Sequence, residues 1–481
     1  MSRYSFDPKL DPSRDRNRRI AIGAASLLAA VVVGVGLIVV GCNTLKRTGS
    51  TTATPTPGGS GGFKPSVTIF APGSAPSVPV SGTEPTSAPT SNGTTPEVAA
   101  VVPTVAAAPM DPRGKIEGIT DFSCPNPHPP PTAFGYGIQS NWPVGDIGLF
   151  NTIMSDKLKM SWTKAQVRWK DFEPQQGQYD LNKWQLLDAF TADANMKGLN
   201  IVYGVLSTPN WARSVTEREG PPDDYNVGAA FFEKVLARYK GCVQAVEVWN
   251  EMNIDREWTV PSKQINAADY ISLLNVVVPK IREIDPGITV VMGALSPTGF
   301  EAPGQSVDDF TYMDQFVAAG GPALVDCIGV HLNGYNLPPQ YEWDAKYNDP
   351  TATFRGPFPD GTPHHSWSFK STLYGYYNRT KKPQCVTEFG WASAENMGGE
   401  PIAGFEFAKD NTEKEQAEWI VQGFQIMKDS GFTNWGIVFN LDYVQKDGLP
   451  FNEDPNAPYS VTRANGAPRP AFDALADMKK D

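Results

Sequence analysis

The chain has 481 residues, with 41 Lys and Arg against 52 Asp and Glu, a formal net charge of −11. That balance excludes a nucleic-acid footprint, which needs a basic face. With 40% hydrophobic residues, 11% aromatics and 12 Trp, the chain can bury a large core and suits a neutral ligand better than a polyanion.

In chain order, residues 1–19 read as a cytoplasmic tail and residues 20–41, "IAIGAASLLAAVVVGVGLIVVG", as a membrane anchor. The stretch is free of charge and long enough to cross a hydrocarbon core of roughly 30 Å. Arg14, Arg16, Arg18 and Arg19 precede it, so the positive-inside rule puts everything after it outside the cell. "VVGC" at 39–42 resembles a bacterial lipoprotein cleavage box, with a lipid on Cys42 as the alternative tether. The length of the apolar run and the acidic Asp7, Asp11 and Asp15 favour a retained anchor. Residues 42–115 are dominated by Thr, Pro, Ser, Gly, Ala and Val; with few aromatics and few charges they predict a disordered linker.

From residue 116 to 481 the composition becomes that of a globular domain. Apolar runs predict strands at Phe134–Ile138, Ala165–Trp169, Asn200–Val205, Val243–Trp249, Thr289–Gly293, Cys327–His331, Gln384–Thr387 and Asn434–Phe439. Amphipathic stretches between them predict helices near 146–158, 183–197, 229–239, 267–283, 308–318, 367–379 and 412–430, with a last one at 470–480. Eight β-then-α units with strands apolar on both faces predict an α/β fold closed into a (β/α)8 TIM barrel. GxGxxG and P-loop motifs are missing, which speaks against a doubly wound nucleotide-binding sheet. The five Cys (42, 124, 242, 327 and 385) form no CxxC pair and no zinc spacing, and their disulfide state stays open. His364-His365 is a loop doublet and a weak metal signal, so no metal or cofactor is expected.

In such a barrel, chemistry sits where strands end and the following loops begin. "AVEVWNEMNI", residues 245–254, closes the fourth strand on Asn250 and Glu251; "CVTEFGW" closes the seventh with Thr387 and Glu388. "IGVHLNGY" brings His331 and Tyr335 at the sixth, and "QVRW" brings Arg168 at the second. Each has a plainer reading: Glu251 as a solvated loop residue, Arg168 as an ion-pair partner, His331 as a core histidine, and Trp142, Trp211, Trp258 and Trp391 as packing. Glu247, deeper in its strand, reads as a core carboxylate paired with a buried cation. What favours function is that these groups fall at the same end of different strands. Two carboxylates there are what glycoside cleavage needs.

"VWNEMN" followed by "VTEFGW" resembles the acid/base and nucleophile motifs of clan A glycoside hydrolases, with spacing similar to family 39 and family 5 members. "AQVRWKDFEPQQGQYDLNKW" and "MKGLNIVYGVLSTPNWA" resemble the second and third βα units of the same enzymes, so the resemblance covers roughly residues 130 to 480. It implies a retaining β-glycosidase in which Glu251 is acid/base, Glu388 is nucleophile and Asn250 binds the sugar 2-hydroxyl. It further implies that Arg168 and Tyr335 hold Glu388, that His331 lines the pocket, and that Trp391 and Trp211 bind substrate. One departure stands out. Clan A enzymes usually end the eighth strand on a Trp beneath the sugar, whereas "WGIVFNLDY" puts Phe439, Asn440 or Asp442 there. Burial and the neighbouring Glu388 are expected to keep Glu251 protonated at the outset. The expected protein is a membrane-tethered extracellular glycosidase acting on polysaccharides or oligosaccharides; the alternative is a catalytically degenerate barrel that binds carbohydrate or serves a surface-structural role.

Overall fold

The structure, a computed structural model, describes residues 111–262, 264–299, 301–345, 364–402, 405–443 and 454–481. The expected anchor and nearly all of the expected linker lie outside them. Among the described residues no helix is long and apolar enough to cross a membrane. The folded part begins earlier than residue 116: Arg238 donates to the carbonyl of Gly114, and Ile116 is buried.

The strands are β1 (Gly135–Ile138), β2 (Trp162–Arg168), β3 (Asn200–Leu206), β4 (Ala245–Val248), β5 (Thr289–Leu295), β6 (Cys327–Gly334), β7 (Gln384–Trp391) and β8 (Thr433–Val438). They pair in parallel and in sequence order, and β8 returns to β1, so the barrel is closed as expected. After the strands, in order, come α1 (Ile147–Thr152), α2 (Leu181–Met196), α3 (Tyr225–Arg238), α4 (Ala267–Ile284), α5 (Asp309–Ala318), α6 (Phe369–Thr380), α7 (Glu413–Asp429) and α8 (Pro470–Asp477). Several helices start on a side chain that accepts from their free first-turn N–H groups: Asp180, Asp224, Asn266, Asp308, Ser368 and Thr412. Each cap fixes where a β-to-α loop ends, and so frames the face that carries the site.

Alternation along the strands makes two cores. Val246 and Val248 of β4, like Val205 and Val386, face the helices in one large apolar cluster. Trp162, Val202, Ala245, Val291, Cys327, Cys385, Trp435 and Ile437 form a separate plug inside the barrel. Trp162 and Trp435 stack there with ring centroids 4.3 Å apart. The next inward positions on β2 and β4, Lys164 and Glu247, lie above this plug and are polar. Gly329 of β6 is needed at their level, because a Cβ there would stand 2.0 Å from the Met292 carbonyl and 3.1 Å from Glu247 Oε1.

Two disulfides are present. Cys327–Cys385 joins β6 to β7 within the plug, and Cys124–Cys242 ties the segment before β1 to the turn before β4. Both lie at the N-terminal ends of their strands, as the sequence positions of Cys242, Cys327 and Cys385 suggest.

Candidate active site

The site is built over Lys164. Its ammonium is almost fully buried, 2.9 Å from Glu247 Oε2 and 3.1 Å from Glu388 Oε1. Burial presses its pKa down, but the two carboxylates outweigh burial and lift it to about 12, so the residue stays charged. Glu247 is the core carboxylate expected: its Oε1 also accepts from Thr387 Oγ1 at 2.7 Å and from the Ala294 N–H at 3.2 Å.

Thr387 and Glu388 are consecutive and would face opposite sides of a regular strand. Register shifts in β7 between Val386 and Phe389, and in β6 between Val330 and His331, break that alternation. Irregularities of this kind re-aim side chains beside active sites. Here Thr387 reaches Glu247 while Glu388 reaches Lys164. Gln166 Nε2 donates to the same Glu388 Oε1 at 3.4 Å. Among the described residues no donor reaches Glu388 Oε2.

At β4 the chain turns sharply past the strand end. Trp249 and Glu251 have φ of 77° and 45°, a left-handed conformation that non-glycine residues seldom take. The result is to direct Glu251 over the barrel. Its Oε1 lies 3.1 Å from His331 Nδ1, and its Oε2 lies 2.7 Å from Arg256 Nη2. His331 stands between the two glutamates, with its Nε2 3.8 Å from Glu388 Oε1. Burial lowers the His331 pKa, but the glutamates on either side outweigh that and raise it. Asn250 is buried beside them, and its Oδ1 finds no hydrogen-bond partner among the described residues. A buried, unpaired amide oxygen is unusual in a finished core and suits a sugar hydroxyl.

The structure thus brings together Glu251, Glu388, Asn250 and His331. Arg168 does not hold Glu388: its guanidinium donates to Glu219 at 3.0 Å, and Glu219 also takes Lys170. Arg168 is the last residue of β2, so it projects above the level of Glu388, and Glu219 on the β3–α3 loop captures it there. Tyr335 packs against Phe407 and Trp367 and feels the charges of Arg256 and Glu251 rather than of Glu388. Trp391 is fully buried, stacked on Phe369, with its indole N–H donating to the Leu337 carbonyl. It is a packing residue. Trp211 is half-buried, with its N–H on the Glu173 carbonyl and its ring edge-on to Trp169.

The protonation expected for Glu251 is also corrected. Burial pushes its carboxyl up, yet Arg256 and His331 together outweigh burial and hold it well below the usual carboxylate range. In this arrangement Glu251 is ionised, so His331 Nδ1–H is the donor in their hydrogen bond. At the end of β8, Asn440 is structural, its Oδ1 accepting from the Tyr443 N–H and the Ser460 hydroxyl. Asp442 is likewise structural, accepting from the Asn141 N–H at 2.8 Å. Phe439 keeps a partly open ring, packed against Tyr443 and Tyr459. Of the three residues in the position of the usual Trp, it alone offers an aromatic face.

Lys164, Gln166 and Arg256 were not singled out by the sequence reading. A signal for the first two exists: "WTKAQVR" places Lys164, Gln166 and Arg168 at alternate positions of one strand, all on the barrel interior. Arg256 lies in a loop, where no periodicity marks it. The His364-His365 doublet meets Asp308 and Asp309: His364 Nε2 is 3.2 Å from Asp308 Oδ2, and His365 Nε2 is 3.0 Å from Asp309 Oδ1. Asp308 and both histidines could approach one metal ion. The contacts to the two carboxylates already account for both rings.

The site is thus a closed (β/α)8 barrel with a glutamate after β4 and another from β7 above one buried lysine. No family model and no curated protein sequence matches the chain. Among solved structures, it is similar to a family 39 glycoside hydrolase from the gut symbiont Bacteroides cellulosilyticus, with a TM-score of 0.50 and 16% identity, over 72% of this chain and 63% of that one. The chain therefore spans less than two thirds of that protein's length. A family 39 enzyme from Xanthomonas axonopodis pv. citri aligns at a TM-score of 0.46 and 15% identity, over 73% of this chain and 67% of that one. An exo-beta-1,4-mannosidase from an Opitutaceae bacterium aligns at 0.47 and 14%, over 77% and 61%.

Proposed function

We propose that the chain is a retaining β-glycoside hydrolase, acting on polysaccharides or oligosaccharides outside the cell from which residues 20–41 tether it. The observation that carries this reading is the asymmetry of Glu388. Lys164 and Gln166 hold its Oε1, while no donor among the described residues reaches Oε2, which leaves that oxygen to attack. In the first step Oε2 attacks the anomeric carbon, the glycosidic bond breaks, and the departing oxygen takes a proton from Glu251. In the second, Glu251 takes a proton from water, the resulting hydroxide oxygen attacks the same carbon, and Glu388 leaves as a carboxylate. Asn250 meets a sugar hydroxyl, and Phe439 stands in for the usual indole platform. Two disulfides favour an oxidising compartment and support the extracellular setting.

Azide separates the two carboxylates by role. Glu251→Ala should hydrolyse poor leaving groups very slowly, yet still form the glycosyl-enzyme from a dinitrophenyl β-glycoside and yield a β-glycosyl azide. Glu388→Ala lacks the attacking group and should be inactive on both; azide can give there only the α-configured product. General acid–base help is typically worth about 10²–10⁴-fold, so both losses are measurable. Near-parental turnover by Glu388→Ala, or an α-azide from Glu251→Ala, would overturn the assignment.

A further inference from the structure

Arg256 belongs to the loop between β4 and α4, and 55% of its side chain is exposed, whereas Glu251 beneath it is buried. Its guanidinium takes Glu251 Oε2 while His331 takes Oε1. Both oxygens of the residue that must hand over a proton are therefore met by donors, and a carboxylate so placed holds no proton. For glycoside cleavage to begin, one donor has to leave. His331 is fixed on β6 and fully buried. Arg256 sits on a loop with more than half its side chain exposed, and a second carboxylate stands beside it: Glu257 Oε1 lies 4.0 Å from Arg256 Nε. Burial lifts the Glu257 carboxyl to about 7, against the pull of Arg256, so near neutrality it carries a proton much of the time.

We propose, resting on the hydrolase reading above, that Arg256 is a two-position positioning residue, seated on Glu251 in the empty site and on Glu257 when a glycoside is bound. The entering glycosidic oxygen takes the place of the guanidinium at Glu251 Oε2. The guanidinium moves to Glu257, which releases its proton as it gains a cation, and Glu251 takes up one proton as it loses one. The summed charge of Arg256, Glu251 and Glu257 is the same before and after. Once the leaving group has departed with the proton, Arg256 stays on Glu257 and leaves Glu251 Oε2 open to accept a proton from water. After the product leaves, Arg256 returns to Glu251 as Glu251 gives up that proton and Glu257 regains one. One exposed arginine thus lets a single glutamate serve as acid and then as base.

The other charges around the pair are committed elsewhere. Arg168 and Glu219 face Glu257 from β2 and the β3–α3 loop, and they pair with each other. Lys164 below is shared by Glu247 and Glu388. Tyr335 and Tyr459 feel the charge of Glu251, and burial pushes both phenols upward, which keeps them neutral.

The test is the pH dependence of kcat/KM for the full chain on phenyl and dinitrophenyl β-glycosides of one sugar, in wild type, Arg256→Gln, Arg256→Lys, Glu257→Gln and the Arg256→Gln/Glu257→Gln double variant. In wild type the basic limb on the phenyl substrate should follow Glu257, near pH 7. Glu257→Gln removes the stored proton, so the limb should move at least one unit to acid and kcat/KM at pH 7 should fall at least ten-fold, far more than on the dinitrophenyl substrate. Arg256→Gln frees Glu251 to keep its own proton, so its limb should not follow Glu257, and adding Glu257→Gln should change nothing further; Arg256→Lys should restore the wild-type limb in part. Equal losses on both substrates in Glu257→Gln, or the same loss from Glu257→Gln in the Arg256→Gln background, would overturn the switch while leaving the hydrolase reading intact. A wild-type chain that hydrolysed neither substrate would sink both.

Discussion

Glu251 shows how much one neighbour decides. Burial alone would make it an acid, and a guanidinium at 2.7 Å makes it a carboxylate instead. Asp442 is the opposite case. It is buried against backbone N–H groups alone, those of Asn141 and of its own residue, and its carboxyl is raised to about 6. A group whose pKa is raised on folding contributes its full share of stability below its unfolded value and loses it as pH rises through the folded one. Asp442 should therefore weaken the fold progressively between about pH 4 and pH 6, by at most about 3 kcal/mol at pH 7. Asp442→Asn keeps an acceptor for the Asn141 N–H and removes the charge. Its midpoint in denaturant at pH 7 should exceed that of wild type, and the gap should close at pH 4; equal midpoints at both pH values would refute this. Glu251 and Glu388 were legible in the sequence because carboxylates at strand ends are chemically conspicuous, and Glu247 because a carboxylate inside an apolar strand must be paired. Arg168 misled because a cation near a nucleophile is the expected partner, and the sequence does not tell which carboxylate it reaches. Glu219, on a loop distant in sequence, captures it.

At the scale of the element, all eight strands were found where the apolar runs lie, because buried parallel strands must be apolar on both faces. Their ends were less visible. The second strand begins at Trp162 rather than Ala165, and that difference hid Lys164, the cation beneath the whole site. Likewise β6 and β7 run on to Gly334 and Trp391, and the register shifts that turn His331 and Glu388 toward each other depend on both strands together. A single sequence carries no mark of such a shift. The bond Cys327–Cys385 crosses the same two strands below the site, closing a loop with a separation of 58 residues. Loop-closure entropy puts its contribution at roughly 4 kcal/mol. A Cys327→Ala/Cys385→Ala chain should unfold at clearly lower denaturant while keeping its activity at room temperature, because the bond is distant from the carboxylates. An unchanged midpoint would show that the plug alone holds these strands.

For the whole molecule, the barrel was legible and the tether is an expectation from residues 1–19 and 20–41. Mass spectrometry of the protein from membranes should give an intact Met1 or Ser2 start with no lipid on Cys42. A chain beginning at a lipidated Cys42 would replace the retained helix with a lipid anchor.

Lys164 has a further consequence for the chemistry. In the proposed mechanism Glu388 becomes an ester and gives up its charge, and a buried ammonium left alone would be costly. Here the ammonium still has Glu247 at 2.9 Å, and Glu247 keeps Thr387 and the Ala294 N–H. On the proposed mechanism, the covalent intermediate would form over a cation already neutralised from its other side. In that mechanism Glu247 would be the standing counter-ion that makes the loss of charge on Glu388 tolerable inside the barrel.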